Sequence, residues 1–168
     1  KAGVEASKFK QPLIYAATKD NFDDFSALAK EADLPLTLKA PVEELAEMTD
    51  KLRDEGFKKI VIDSGSRDVK KAFEEQVHIR RSALKKGNRS VGYPTITFPC
   101  DMASNPDMEA MLAAMFIAKY GAITVMSDFN AETLFPLLLE RLNIFTDPQR
   151  PMTVVEDIYP IGNPDENS

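Results

Sequence analysis

Short runs of β-branched and aliphatic residues alternate along the chain with longer stretches whose apolar side chains recur every three or four positions. That pattern predicts repeated β/α units around a parallel sheet. The first unit pairs a strand over Leu13–Thr18 with a helix from Phe22 to Ala32, with Asn21 as N-cap and Asp23 and Asp24 at the positive helix start. Phe22, Phe25, Leu28 and Ala29 share one face of that helix. The second unit pairs Leu36–Lys39 with a helix that opens on Pro41, carries Glu43 and Glu44 in its first turn and ends at Gly56. The third pairs Ile60–Asp63 with a helix from Asp68 to Lys86, whose later turns hold His78, Arg80, Arg81, Lys85 and Lys86 before Gly87. The fourth pairs Thr95–Phe98 with a helix from Met108 to Tyr120, ended by Gly121. The fifth pairs Ala122–Met126 with a helix starting near Ala131, in which Pro136 predicts a kink or a late start. Beyond Phe145 the periodicity dissolves into turn residues and a linker over 146–168, with one short strand at Thr153–Val155.

Five β/α units fit two architectures: a five-stranded doubly wound sheet, or part of an eight-unit (β/α) barrel of the TIM type, which needs ~250 residues. The uneven spacing from Tyr15 to Thr37, Val61, Ile96 and Thr124 excludes a solenoid. The start on Lys1 and the polar end at Ser168 lead us to expect a segment of a longer polypeptide.

Composition narrows the chemistry. With 43% apolar residues among 168 the chain can build a core, and 21 basic against 27 acidic residues leave no cationic excess with which to track nucleic acid. One cysteine, Cys100, and one histidine, His78, allow no internal disulfide and no zinc or iron–sulfur site held by cysteines of this chain alone. The longest strongly apolar stretch, Met111–Ile117, falls short of the ~20 residues of a membrane span, and the N-terminus shows no signal-peptide pattern. A reduced cytoplasm is the expected compartment.

In either architecture functional groups gather at the carboxyl ends of the strands. There stand Lys19, Asp20 and Asn21; Lys39; Asp63 and Ser64; Cys100 and Asp101; and Ser127, Asp128 and Asn130. Asp20, Asn21, Asp63 and Asp128 are the candidates for holding a polar ligand, although Asn21, Asp101, Asp128 and Asn130 are also the residue types that cap helices and form turns. Glycine-rich phosphate loops and a Gly-x-Ser-x-Gly elbow are absent, and one helical histidine does not make a triad. No catalytic residue and no metal ligand is assigned. His78 reads as one of several cations near a helix C-terminus, with an anion site of His78, Arg81 and Arg89 as the alternative. Cys100 reads as a small packed residue rather than a reactive thiol. The helix Met108–Tyr120 is apolar nearly all round, which implies burial on more than one side, either within its own domain or against a partner.

Longer motifs carry a resemblance. Pro12-Leu13-Ile14-Tyr15-Ala16-Ala17-Thr18-Lys19-Asp20-Asn21, His78-Ile79-Arg80-Arg81, Gly92-Tyr93-Pro94-Thr95-Ile96, Ile144 to Met152 and the closing Tyr159 to Ser168 are similar to the large (gamma) subunit of corrinoid iron–sulfur proteins, nearer in form to the bacterial, acetogen-type version. The resemblance spans nearly the whole chain. It implies a subunit with an N-terminal four-cysteine iron–sulfur domain, a middle (β/α) barrel and a C-terminal corrinoid domain, of which residues 1–145 match the later barrel units and 146–168 the linker. On that resemblance the [4Fe-4S] cluster and the cobalt corrinoid belong to the full subunit and are not ligated by this segment. Asp-x-His-x-x-Gly, the motif of proteins that give cobalt a histidine, is not met, because Gln76 and Arg81 flank His78.

The function so implied is that of a scaffold and docking barrel in a methyl carrier acting between methyltetrahydrofolate, or a related methylpterin, and acetyl-CoA synthase. Its implied partners are a homologous small subunit, the methyltetrahydrofolate methyltransferase and carbon monoxide dehydrogenase/acetyl-CoA synthase, with no nucleic acid and no membrane. The rivals are a pterin-binding methyltransferase barrel using Asp20, Asn21, Asp63 and Asp128, and a free-standing five-stranded binding module.

Overall fold

The computed structural model describes residues 2–7 and 10–144. The linker expected over 146–168, with its strand at Thr153–Val155, lies outside the described residues. Elements run α1 (Ala2–Ser7), β1 (Ile14–Ala17), α2 (Phe22–Ala32), β2 (Leu36–Lys39), α3 (Val42–Asp54), β3 (Ile60–Asp63), α4 (Val69–Lys85), β4 (Ile96–Thr97), α5 (Pro106–Ala118), β5 (Ile123–Thr124) and α6 (Ala131–Asn143). Short α1 has no counterpart in the sequence pattern, because it buries none of its six residues and so leaves no periodic trace.

The structure is mixed α/β with parallel strands. β1, β2 and β3 form one sheet, β4 and β5 a second. A parallel bridge from Ile62 to Thr95 and the bond from Ile62 N–H to the Pro94 carbonyl, 2.8 Å, place β4 beside β3. The strands therefore follow one another in chain order, and the reversal that creates a doubly wound sheet's switch point is absent among the described residues. The described strands do not close into the expected (β/α) barrel; they are an open set of parallel strands with helices.

Alternation along the strands explains where the core lies. Leu36, Leu38, Ile60 and Ile62 point to the helices and join Leu45, Leu52, Ala29 and Leu34 in the main apolar cluster. Their neighbours Thr37 and Val61, paired in register, face the other way and are buried as well, as expected for parallel strands covered on both faces. Lys39 and Asp63, the next register pair, continue that second face toward the carboxyl ends of the strands.

The helix limits agree with the capping pattern in most places. Asp68 caps α4 by accepting from Lys71 N–H at 2.9 Å, Asn105 caps α5 by accepting from Met108 N–H at 2.9 Å, and Asn130 caps α6 by accepting from Glu132 N–H at 2.8 Å. Pro41 stands at the N-cap of α3 rather than inside its first turn. Asn21 precedes α2 as expected, yet its side chain turns back to accept from Thr18 N–H at 2.7 Å. α6 starts at Ala131 and continues through Pro136, so the proline delays nothing.

α5 accounts for its own composition. Its Leu112 and Phe116 pack with Ala72 of α4, while Ala113 and Ile117 pack with Leu137 of α6. A helix clasped between two others needs apolar residues on both sides. Burial within its own fold explains most of that surface, and Met111 remains exposed.

Candidate functional site

A side-chain cluster closes the carboxyl ends of the strands. Asp63 is the last residue of β3; the chain then turns at Gly65, whose φ of +77° favours glycine, and brings Arg67 back over the acid just before α4. The Asp63 carboxylate is 2% exposed and accepts from four donors: Gly65 N–H at 2.8 Å, the Tyr15 hydroxyl at 2.7 Å, and Arg67 Nη1 and Nη2 at 3.2 and 2.9 Å. Those four fill the acceptor sites of a carboxylate. Arg67 also donates through Nε to Asp101 at 3.1 Å and through Nη2 to the Tyr15 hydroxyl at 2.9 Å. Its guanidinium lies 4.2 Å from the centre of the Phe98 ring, and Tyr15 and Phe98 are in ring contact at 5.1 Å.

The electrostatics follow from this packing. Burial, then the hydrogen bond and charge of Asp63, push the Tyr15 hydroxyl up to about 12, with Arg67 pulling the other way. Burial works against the Arg67 charge, but Asp63 outweighs it and holds the guanidinium above its ordinary value. A tyrosine that keeps its proton, a fixed cation and a saturated acid offer no base and no nucleophile. The arrangement is a clamp that ties β1, β3 and the segment after β4 together.

The other strand-end residues are dispersed. Asp20 and Asn21 occupy one turn after β1, where Lys19 approaches Glu44 at 3.7 Å. Lys39 and Ser64 border an open groove of 480 Å³ together with Arg67 and Lys71. Asp128 accepts from Phe129 N–H at 2.7 Å within its own turn and borders a different cleft, after β5. Ser127 donates its N–H and hydroxyl to the buried carboxylate of Glu109 on α5. The Cys100 thiol is pushed up by burial and by the charges of Asp101 and Glu109, which suits a packed residue better than a nucleophile. His78 and Arg81 lie on the exposed side of α4, whereas Arg89 lines another cavity, so those three do not form one anion site.

Tyr15, Arg67, Phe98 and Glu109 were not singled out by the sequence. The spacing Asp63-Ser64-Gly65-Ser66-Arg67, an acid and a base four apart across a glycine, is the signal that could have found Arg67.

The donors present do not fit a metal centre. His78 is exposed, Cys100 is isolated, and no group of three His, Cys, Asp or Glu that could hold a metal ion occurs among the described residues. No helix among them is long and apolar enough to cross a membrane.

The family profile described as CO dehydrogenase/acetyl-CoA synthase delta subunit matches residues 1–168. The chain is 42% identical over 160 residues to the corrinoid/iron-sulfur protein large subunit of Moorella thermoacetica, covering 95% of this chain and 35% of that protein. It is 32% identical over 182 residues to the acetyl-CoA decarbonylase/synthase complex subunit gamma 2 of Methanosarcina thermophila, covering 100% and 39% respectively. A third relative, the acetyl-CoA decarbonylase/synthase complex subunit gamma of Methanopyrus kandleri, is 34% identical over 175 residues, covering 95% and 37%. The chain thus spans little more than a third of the length of these relatives.

Proposed function

The chain belongs to the CO dehydrogenase/acetyl-CoA synthase delta subunit family, and from that premise we propose that it is the scaffold and docking part of a corrinoid iron–sulfur methyl carrier. The whole carrier would take a methyl group from methyltetrahydrofolate or a related methylpterin and deliver it to acetyl-CoA synthase in the reductive acetyl-CoA pathway, in the cytoplasm. Corrinoid and iron–sulfur cluster would be held by other parts of the subunit; among the described residues no group of three His, Cys, Asp or Glu could hold a metal ion. This segment's work is mechanical: to hold its neighbouring domains in place and to pair with the small subunit.

One observation carries the docking role. Phe135, Leu138, Leu139 and Leu142 form an i, i+3, i+4, i+7 stripe on α6 that faces outward, with Phe135 65% and Leu142 56% exposed, while Leu137 on the other side of the same helix is buried. A contiguous apolar stripe of this kind marks a surface made to be covered. Two further points support the reading. Strands in chain order suit a segment of a (β/α) barrel. A profile named for a delta subunit matches a chain whose relatives are large or gamma subunits, which suits the pairing of two homologous barrels.

Hydrogen exchange of the large subunit, alone and with the small subunit, tests the proposal. Slowed exchange in α6 is the expected result; unchanged exchange in every helix would overturn it. The pterin-binding alternative draws less support, since the acceptors of Asp63 are already taken and Asp128 stands apart from it.

A further inference from the structure

At the amino ends of β4 and β5, opposite the Asp63 clamp, lies a cavity of 670 Å³. That volume falls within the range of small-molecule sites. Five cations line it: Arg53 of α3, Arg80 of α4, Arg89, Lys119 after α5 and Arg141 of α6. No aspartate or glutamate is among its lining residues, in a chain whose net charge is minus 6. Its other walls combine apolar and aromatic side chains, Ile79, Leu84, Tyr93 and Tyr120 among them, with the uncharged polar Gln76, Asn88 and Thr95.

Helix dipoles explain part of this. Arg53 and Arg141 sit in the last turns of α3 and α6 and Lys119 closes α5, where positive charge is favourable. Arg53 is moreover paired with Asp50 at 2.7 Å. Arg80 and Arg89 have no such account: Arg80 stands more than a turn before the end of α4, and Arg89 belongs to the short turn that precedes β4. Arg80 stacks on Tyr120 at 4.3 Å, and Lys119 reaches toward Phe73 at 5.5 Å. Neither they nor Arg89 has an acidic partner among the described residues. Arg80, Arg89 and Lys119, brought from separate elements to the rim of one hollow without an acidic partner among the described residues, create a field that favours multiply charged anions. Arginine adds forked donors that match phosphate oxygens.

We infer that this cavity binds a small phosphate-bearing organic anion, its phosphates met by Arg80, Arg89 and Lys119 and its flat apolar part laid against Tyr93 and Tyr120. The site is independent of the docking role, and it lies on the far side of the strands from the clamp.

Titration calorimetry of the full chain with ATP, inorganic triphosphate and adenosine as probes tests the inference. Saturable binding of ATP is expected, with triphosphate about tenfold weaker and adenosine weaker still, because each lacks one half of the recognition. Arg89→Gln, at an exposed position, should weaken ATP by about tenfold while leaving the thermal midpoint unchanged. Arg80→Gln combined with Arg89→Gln should abolish binding. Hydrogen exchange across residues 89–95 and 119–122 gives a second readout, with slowing expected only when ATP is present. Absence of saturable ATP binding, equal affinity for triphosphate and ATP, or undiminished affinity in Arg89→Gln would each overturn the inference.

Discussion

Asp63 and Arg67, four residues apart across a glycine turn, form a forked ion pair with Nη1 to Oδ1 at 3.2 Å and Nη2 to Oδ2 at 2.9 Å. The acid is buried, and the base is 26% exposed. Removing the base leaves a carboxylate without its cation in a dry place, a loss that typically reaches ~3–5 kcal/mol for a fully buried pair. For this half-covered pair Arg67→Ala should cost about 2–3 kcal/mol. Arg67→Lys keeps the charge but not the fork and should fall between wild type and alanine. Urea midpoints read both, and an unchanged midpoint in Arg67→Ala would show that the clamp contributes nothing.

Tyr15 gives the clamp a signature in alkali. Its hydroxyl is held at about 12 in the folded chain against 10.0 for an unhindered tyrosine. Between those values the unfolded chain has released a proton that the folded chain retains, so the folded state binds more protons and stability falls as pH rises. The contribution is complete below pH 10 and gone above about 12. Denaturation midpoints at successive alkaline pH values should therefore decline more steeply in wild type than in Tyr15→Phe.

Phe116 is fully buried in the last turn of α5, against Ala72 and Leu112. Phe116→Ala should destabilise by ~3–5 kcal/mol, and Phe116→Leu by less, because the second leaves a smaller void. Thermal or chemical unfolding distinguishes them.

On α6 the expectation reverses. Leu138 and Leu142 are exposed, so Leu138→Glu should change the stability of the chain by no more than ~0.5 kcal/mol. Association with the small subunit should nevertheless weaken markedly. Sedimentation of the mixed subunits measures the second effect and unfolding the first; a stable variant that still associates normally would count against the docking surface.

Cys100 should react slowly. Burial and the nearby charges of Asp101 and Glu109 raise its thiol, which lowers the thiolate fraction at neutral pH. Its alkylation rate should rise several-fold in Asp101→Asn, once loss of the acid is separated from any unfolding by a parallel stability measurement.

The strands and helices were readable because their signals are local. Leu36–Lys39 and Ile60–Asp63 have the expected limits, since β-branched and leucine runs bounded by polar residues leave little room for another register. β4 and β5 are shorter than the expected Thr95–Phe98 and Ala122–Met126, because only Ile96–Thr97 and Ile123–Thr124 pair with each other, while Thr95 makes an isolated bridge to Ile62. Whether α5 meets another domain or its own could not be read from periodicity; neighbours on two sides decide it, and those are long-range facts. The same holds for the clamp. Asp63 stood out as a strand-end acid, but that its acceptors are filled by Tyr15 and Arg67 depends on β1 lying two strands away. The cavity cations come from five segments of the chain, and no one of those segments shows by itself that the others converge on it.

Strands that lie side by side in the order of synthesis have a consequence for how the chain is made. Each strand from β2 onward is set beside the one before it, at β4 by the Ile62–Thr95 bridge, so none of these neighbours must wait for a later segment to emerge. On the ribosome such a chain can consolidate unit by unit as it leaves the exit tunnel. Little apolar strand surface then stays uncovered for long, which limits the interval in which a nascent copy could pair with another.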